Sequence, residues 1–185
     1  MPSTSRFHGV TVTLVDTGAR TIALPSSSII GLVDTFTVAP EFSAQPGDLV
    51  LLTRESEAVA AFGPGSAITR AAKAIFTRSK AVIVACGVAK LEDAALQTSA
   101  IIGGVKADGK RTGLQALLDG KSRFNAQPRL LVAPGHSATQ AVATAMDGLA
   151  TKLRAIAIVD GPNTTDEAAM EYAKNFGSKR IYMVD

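Results

Sequence analysis

The chain has 185 residues, of which 46% are hydrophobic and 19% charged, with a formal net charge of +3. A chain of this size can bury about 70% of its unfolded surface, enough for a real hydrophobic core. Its longest apolar stretch, Ala81 to Ala89, is too short to cross a bilayer, so we predict no membrane span. Lysines and arginines are scattered among the acids and Trp is absent, which disfavours a nucleic-acid binder.

The N-terminal nine residues, MPSTSRFHG, lack the cationic start and apolar core of a signal peptide. The single cysteine, Cys86, lies inside an apolar run, where a thiol normally acts as a small buried hydrophobe. These two features predict synthesis in a reducing cytoplasm.

The first predicted strand is the segment VTVTL. Its apolar side chains alternate with threonines, in the order Val10, Thr11, Val12, Thr13, Leu14. This is the period of a strand with one dry and one wet face. The residues that follow supply no two-residue hairpin turn and no second alternating strand, so the partner must be distant or on another molecule. We therefore predict an extended N-terminal arm over residues 1–27.

Residues 28–185 alternate between short apolar strands and amphipathic helices, and form the predicted main domain. The predicted strands are Ile29–Asp34, Leu49–Thr53, Ala81–Cys86, Arg129–Pro134, Ala155–Asp160 and Arg180–Val184. The predicted helices are Ser66–Ser79, Glu92–Val105, Thr112–Leu118, Ser137–Leu153 and Thr165–Phe176. Helices between successive strands predict an α/β fold, with a mostly parallel sheet flanked by helices on both faces.

Local signals refine this pattern. A turn is predicted at Gln45–Asp48, before the second strand of the domain. Ser137 and either Thr164 or Thr165 are predicted N-caps, and Gly177 is predicted to close the last helix. The run AIAIVD is continuously apolar up to its final aspartate, which predicts that Ile158 is buried between helices on both faces of the sheet.

Two segments partly match catalytic or nucleotide-binding motifs. Residues 104–111, GVKADGKR, have the glycine and lysine spacing of a Walker loop, but Arg111 replaces the Ser or Thr that holds magnesium and the segment follows a helix. We predict a surface turn there. Residues 135–139, GHSAT, follow a strand, as the nucleophile elbow of a hydrolase does, but Thr139 replaces the glycine that this turn requires. The other histidine that could act as the base, His8, lies in the predicted arm, so we do not predict a hydrolase.

The other polar residues fit structural roles better than chemical ones. Asp160, Asp166 and Glu167 suit a turn followed by a helix N-terminus. One cysteine and two widely separated histidines give no ligand pair for a metal. We therefore predict no catalytic, cofactor-binding or metal-binding residue in this chain.

Three segments carry a resemblance to a known family: FHGVTVT at the start, GLQALLD in the middle and RLLVAPG before the last third. With them, the chain resembles contractile tail sheath proteins of myophages and R-type pyocins, most strongly from Thr112 to Asp185. Proteins of that family continue into a further domain that faces the tail tube. Because the last predicted strand also reaches the final residue without a covering element, we expect the chain to be the N-terminal portion of a longer subunit.

The resemblance implies a structural subunit rather than an enzyme, with no cofactor. Its implied partners are other sheath subunits, joined through terminal arms, together with the tail tube and the baseplate. Residues Val10 to Leu14 would then add a strand to the sheet of a neighbouring subunit. The implied location is the host bacterial cytoplasm during assembly, then a virion or pyocin tail.

An alternative stays open from the residues alone. A doubly wound domain can be a small-ligand-binding domain or an enzyme, with its crevice at the carboxyl ends of the strands. Here that crevice would lie near Gly87, Pro134 and Gly161.

Overall fold

A computed structural model describes residues 29–184 of the chain. Its strands are β1 (Ile29–Phe36), β2 (Leu49–Leu52), β3 (Val82–Ala89), β4 (Leu130–Val132), β5 (Ile156–Asp160) and β6 (Ile181–Val184). Its α-helices are α1 (Glu55–Phe62), α2 (Ala67–Arg78), α3 (Ala94–Ile102), α4 (Gly113–Ala116), α5 (Gly120–Phe124), α6 (Gln140–Leu153) and α7 (Asp166–Ala173). A 3-10 turn, Leu117–Asp119, joins α4 to α5. The predicted arm, with Val10 to Leu14, lies outside the described residues.

The six strands form one sheet in the order β2-β3-β1-β4-β5-β6. Every neighbouring pair is parallel except β2 and β3, which are antiparallel. The chain enters β2 through the predicted turn, where the Asp48 amide donates to the Gln45 carbonyl over 2.9 Å and Gly47 takes a φ of 86°. The predicted class, α/β with a mostly parallel sheet, is confirmed.

Helices cover the two faces of the sheet unequally. On one face, α1 and α2 pack over β2, β3 and β1 around a core that includes Phe36, Leu52, Phe62, Ile68 and Ile83. On the other face, helices α3, α4 and α6 cover a larger core that includes Val33, Val84, Leu131, Met146 and Val159. Burying each such side chain contributes roughly 1.5–3 kcal/mol, so these two layers hold the sheet together. Within residues 29–184, no helix is long and apolar enough to cross a membrane.

Strand β5 is fully buried on one face only. Ala157 and Val159 are completely buried, whereas Ile156 is 46% exposed and Ile158 is half-buried. The prediction that Ile158 is buried on both faces is therefore wrong. The prediction fails because the α1–α2 layer covers β1, β2 and β3 but not β5. An apolar run in the sequence of β5 does not show that helices cover both of its faces.

Several helix boundaries differ from the sequence pattern. Helix α6 begins at Gln140 after the N-cap Thr139, so Ser137 is not the cap. Helix α7 ends at Ala173, before the predicted stop at Gly177. After it, the Asn175 and Phe176 amides donate to the Tyr172 and Ala173 carbonyls in i→i+3 turns. The predicted cap Thr165 is confirmed, since its hydroxyl accepts the Ala168 amide.

Cys86 lies in the middle of β3 and is completely buried. Burial disfavours the thiolate and raises the pKa of the Cys86 thiol to about 12. The thiol therefore acts as a small hydrophobe, as predicted.

Two glycines allow the backbone at the end of α3 to lie in close contact with the backbone at the start of α4. Gly103 has a φ of 68°, and a Cβ atom there would lie 1.9 Å from the Thr112 carbonyl oxygen. Gly113 has a φ of 57°, and its Cβ would lie 2.4 Å from the Ile101 carbonyl oxygen. This close approach turns the chain from α3 into the helices that cover β3 and β4.

We expect Gly103→Ala to lower the free energy of unfolding by about 2 kcal/mol or more, because its backbone (φ 68°, ψ −171°) lies in a region that costs an L residue about 1–3 kcal/mol and the clash adds to it. Gly109→Ala is the matched control, since Gly109 also has a positive φ, of 81°, but no atom lies within 4 Å of the place that an added methyl group would take. Urea unfolding of both variants measures the difference. Equal losses of unfolding free energy in the two variants would contradict the close backbone contact at Gly103.

Candidate functional site

Four polar side chains meet at the carboxyl ends of β1, β4 and β5: Asp34, His136, Ser137 and Asp160. This edge is where doubly wound sheets bind ligands, because the strand order reverses between β1 and β4. The Ser137 hydroxyl donates to Asp160 Oδ2 over 2.7 Å, and the Asp160 amide donates back to the Ser137 hydroxyl over 3.0 Å. His136 Nε2 lies 3.4 Å from Asp34 Oδ1.

The contacts among these four residues hold neighbouring chain segments together, and they do not activate a nucleophile. Ser137 bonds to an aspartate instead of a histidine, and only 1% of its surface is exposed, so a substrate cannot reach its hydroxyl. His136, in the loop after β4, lies beside Asp34 of β1 and not beside Ser137 Oγ. The hydrolase geometry, which needs a serine bonded to a histidine base, is not formed by the described residues. The tertiary bond to Asp160 is also the reason that Ser137 does not cap α6.

Aromatic rings fill the sheet surface at Gly87, where the alternative function would place its crevice. A Cβ at Gly87 would lie 2.5 Å from the Phe62 ring and 2.8 Å from the Phe36 ring. The two rings pack edge to face with centroids 5.3 Å apart. Beside Phe36, a polar cavity of about 320 Å³ opens toward Arg70 and Lys90.

The Walker-like segment is a surface turn, as predicted. Val105 and Arg111 form an antiparallel bridge, and the Gly109 amide donates to the Lys106 carbonyl over 2.9 Å. Two cations of the turn are tied to the body, since Lys110 pairs with Asp48 and Arg111 pairs with Asp119. The segment follows α3 rather than a strand, so its amides do not form a phosphate cradle at a helix N-terminus.

Partial burial and hydrogen bonding act in opposite directions on Asp48. Burial raises the pKa of its carboxyl, but hydrogen bonds from Lys110 and from the Gln45 amide outweigh burial and leave the pKa below its ordinary value of 3.8. A carboxyl whose pKa is lower in the folded state stabilises the fold at pH values above 3.8. That contribution is lost as the pH falls through the folded-state pKa.

We expect Lys110→Met to lower the free energy of unfolding at pH 7 by about 0.5–1 kcal/mol, the range for a partly exposed ion pair. The loss should shrink as the pH of the unfolding measurement is lowered below 3.8 and through the folded-state pKa of Asp48, because the stabilising contribution of the ionised carboxyl is lost over that range. Lys106→Met is the control, because it removes a charge from the same turn and Lys106 has no ion pair within residues 29–184. A loss that stays the same over the whole acidic range in which the protein remains folded would show that the Asp48 pair is not its cause.

One half of a sheet face is apolar and uncovered by any described helix. We call it the open face, and it consists of Leu130, Val132, Ile156, Ile158, Tyr182 and Val184, with Val132 at its border, where it packs against the α1–α2 core. The register places five of these side chains together, since Ile156 is level with Leu130, and Ile158 with both Val132 and Tyr182. Val184 is level with Asp160, whose carboxylate accepts the Ser137 hydroxyl and borders the face. Ile156 is 46% exposed, Tyr182 64% and Val184 50%. The sheet thus exposes an apolar surface to solvent at its β6 edge.

Helices α6 and α7 lie on the opposite side of the same strands. Met146 and Leu149 of α6 pack into the core that contains Ala157 and Val159. The Tyr172 hydroxyl of α7 donates to the Ala138 carbonyl just before α6, over 3.1 Å. The crossovers β4-α6-β5 and β5-α7-β6 therefore leave the open face unprotected. Alternation in β6 could have predicted this surface, but the shortness of that strand made the signal weak.

A second apolar surface lies at the carboxyl end of β3. Val88, Leu91, Ala100 and Pro46 line a groove of about 190 Å³ there. Leu91, at the rim, is 40% exposed. Exposed apolar surfaces of this kind are typical of sites that contact other protein segments.

The described body is thus an α/β domain with internally bonded polar groups at the ends of β4 and β5, two exposed apolar surfaces and one polar cavity. No family model matches the chain. It is 71% identical over 98% of its length to a putative prophage major tail sheath protein of Pseudomonas aeruginosa strain UCBPP-PA14. It is 31% identical to the tail sheath protein of Escherichia phage P2 and 31% identical to the major tail sheath protein of Serratia phage KSP20, each over 96% of the chain.

The chain spans about half the length of these relatives, 47% of the Pseudomonas protein and 46% of each of the two phage proteins. Along nearly its whole length, it is a homologue of phage and prophage tail sheath proteins. The predicted family is confirmed.

Proposed function

We propose that this chain is part of a subunit of a contractile tail sheath, which assembles helically around a tail tube and shortens to drive the tube into a target cell. The observation that carries the proposal is the 71% identity to a prophage major tail sheath protein over nearly the whole chain. Other sheath subunits, the tail tube and the baseplate are the proposed partners. Assembly in the bacterial cytoplasm precedes incorporation into a phage or pyocin tail.

In this proposal, residues 1–27 are an arm and residues 28–185 are the α/β sheath domain. Val10 to Leu14 add a strand to a sheet in a neighbouring subunit, so that main-chain hydrogen bonds provide the joint and the apolar side chains fix its register. Burying Val10, Val12 and Leu14 contributes about 1.5–3 kcal/mol each before the cost of association. Such a joint is strong only when many copies act together in a lattice.

The α/β domain acts as a rigid body and performs no catalysis. Its polar strand ends support this role, because Ser137 and Asp160 satisfy each other and His136 Nε2 lies within 3.4 Å of Asp34 Oδ1. A rigid body can pass between two lattice arrangements while its own core stays intact. The work of contraction then comes from contacts between subunits.

Electron microscopy of the purified full-length subunit tests this function. We expect sheath-like tubes of regular helical symmetry, formed without a nucleotide or metal cofactor. A subunit that stays monomeric at high concentration, and also in the presence of the tail tube, would contradict the proposal.

A second candidate function is the binding of a small anion. The observation that favours it is the 320 Å³ cavity beside Phe36, with Arg70 and Lys90 at its wall. Thermal unfolding with inorganic phosphate and with ATP separates the two functions, because a bound ligand raises the melting temperature. No shift at millimolar phosphate or ATP is the result that the sheath function predicts.

A further inference from the structure

We propose that the open face is covered, within the same subunit, by the part of the full-length sheath protein that lies outside these 185 residues. This inference rests on the proposed function, since it assumes that the chain belongs to a longer sheath subunit. It assigns a fold-completing contact to Leu130, Val132, Ile156, Ile158, Tyr182 and Val184. The remaining half of the protein would contribute an apolar helix surface to them.

The architecture requires a cover of this kind. In a parallel sheet, strands are normally buried on both faces because helices pack on each side. The α1–α2 layer meets this need for β1 and β3, and its core reaches only as far as Val132 on β4. Ile156, Ile158 and Tyr182 continue the same face beyond that layer and belong to neither core. The missing element is a second helical layer over β4, β5 and β6.

The size of the surface favours a covalently linked cover over a second copy. The open face offers six side chains, whereas a stable interface between separate proteins usually takes about 20–30 residues from each partner. A separate partner must also offset the loss of translational and rotational freedom, and a segment of the same chain does not. A small apolar face is therefore better suited to packing within a subunit.

The length of the relatives supplies a segment for this role. The chain corresponds to 47% of the Pseudomonas sheath protein and 46% of the P2 protein, so about half of such a subunit is available to pack on it. The open face also includes residues of β6, the edge strand of the sheet. Tyr182, 64% exposed on this edge strand, is the best position for a probe.

Photo-cross-linking in the full-length subunit tests the inference. A benzophenone amino acid replaces Tyr182 in one sample and Val184 in a second, so that a fold defect at one position does not decide the result. Lys152, on the exposed side of α6, carries the same probe as a background control. Equal amounts of normal and ¹⁵N-labelled subunit are mixed before irradiation, and mass spectrometry then identifies the joined peptides.

We expect Tyr182 and Val184 probes to join peptides from outside residues 1–185, with both peptides carrying the same isotope. A mixed-isotope product would mean that another copy covers the face. Products confined to residues 1–185, or no protein product, would mean that the N-terminal arm or solvent covers it. Each of these three results overturns the inference. Sheath formation is scored separately by microscopy, so failure to assemble counts against the proposed function and not against this contact.

Discussion

Val159→Asp should leave little folded subunit. Val159 is completely buried on β5, in the core shared with Met146 and Leu149 of α6. An unpaired charge placed there costs about 4 kcal/mol or more, which is a large part of the roughly 5–15 kcal/mol that stabilises a typical domain. Circular dichroism and the soluble yield of the full-length subunit measure the effect.

Val105→Asp is the matched control for this charge. Val105 lies in the surface turn before α4 and is 68% exposed, so the same substitution there should change the free energy of unfolding by at most about 0.5 kcal/mol. Comparable losses of soluble, folded protein in the two variants would contradict the burial that the structure assigns to β5.

Val12→Asp should abolish sheaths while leaving the subunit folded. Val12 is predicted to lie on the dry face of the inter-subunit strand, so an aspartate there would place a charge in every joint of the lattice. The cost is at least about 2 kcal/mol per contact, repeated along the assembly. Circular dichroism measures folding, and electron microscopy of the full-length subunit counts sheaths.

Thr13→Asp is the control within the same strand. Thr13 is predicted to face solvent, so the same charge should be tolerated and sheaths should form. Normal sheaths from Val12→Asp, or equal loss of sheaths in both variants, would mean that the apolar face of VTVTL does not form the contact between subunits.

Periodicity in the sequence predicted most of the α/β body, because apolar runs such as that of β3 and amphipathic helices such as α2 carry strong local signals. Helix α1 was missed. Its eight residues, ESEAVAAF, contain three alanines and have little contrast between faces, although Ala58, Ala61 and Phe62 do follow helical spacing. A short alanine-rich helix is recognisable only after the surface that it covers is known.

Tertiary contacts decided what local patterns could not. Ser137 has the composition of an N-cap, but its hydroxyl bonds to Asp160, 23 residues away, and Thr139 takes the cap position. The apolar run of β5 predicted two buried faces, but the second face depends on a helical layer that the described residues do not supply. The family resemblance identified the protein class, which no single site residue could do.

The most direct test of the central claim is a cryo-EM reconstruction of phage or pyocin tails produced in cells that express this protein. We expect the six-stranded body of residues 29–184 to fit the sheath layer around the tube, with residues 10–14 forming a strand on a neighbouring subunit. A sheath layer that does not contain this body would contradict the sheath function. Residues 10–14 paired within their own subunit would contradict the arm as the joint.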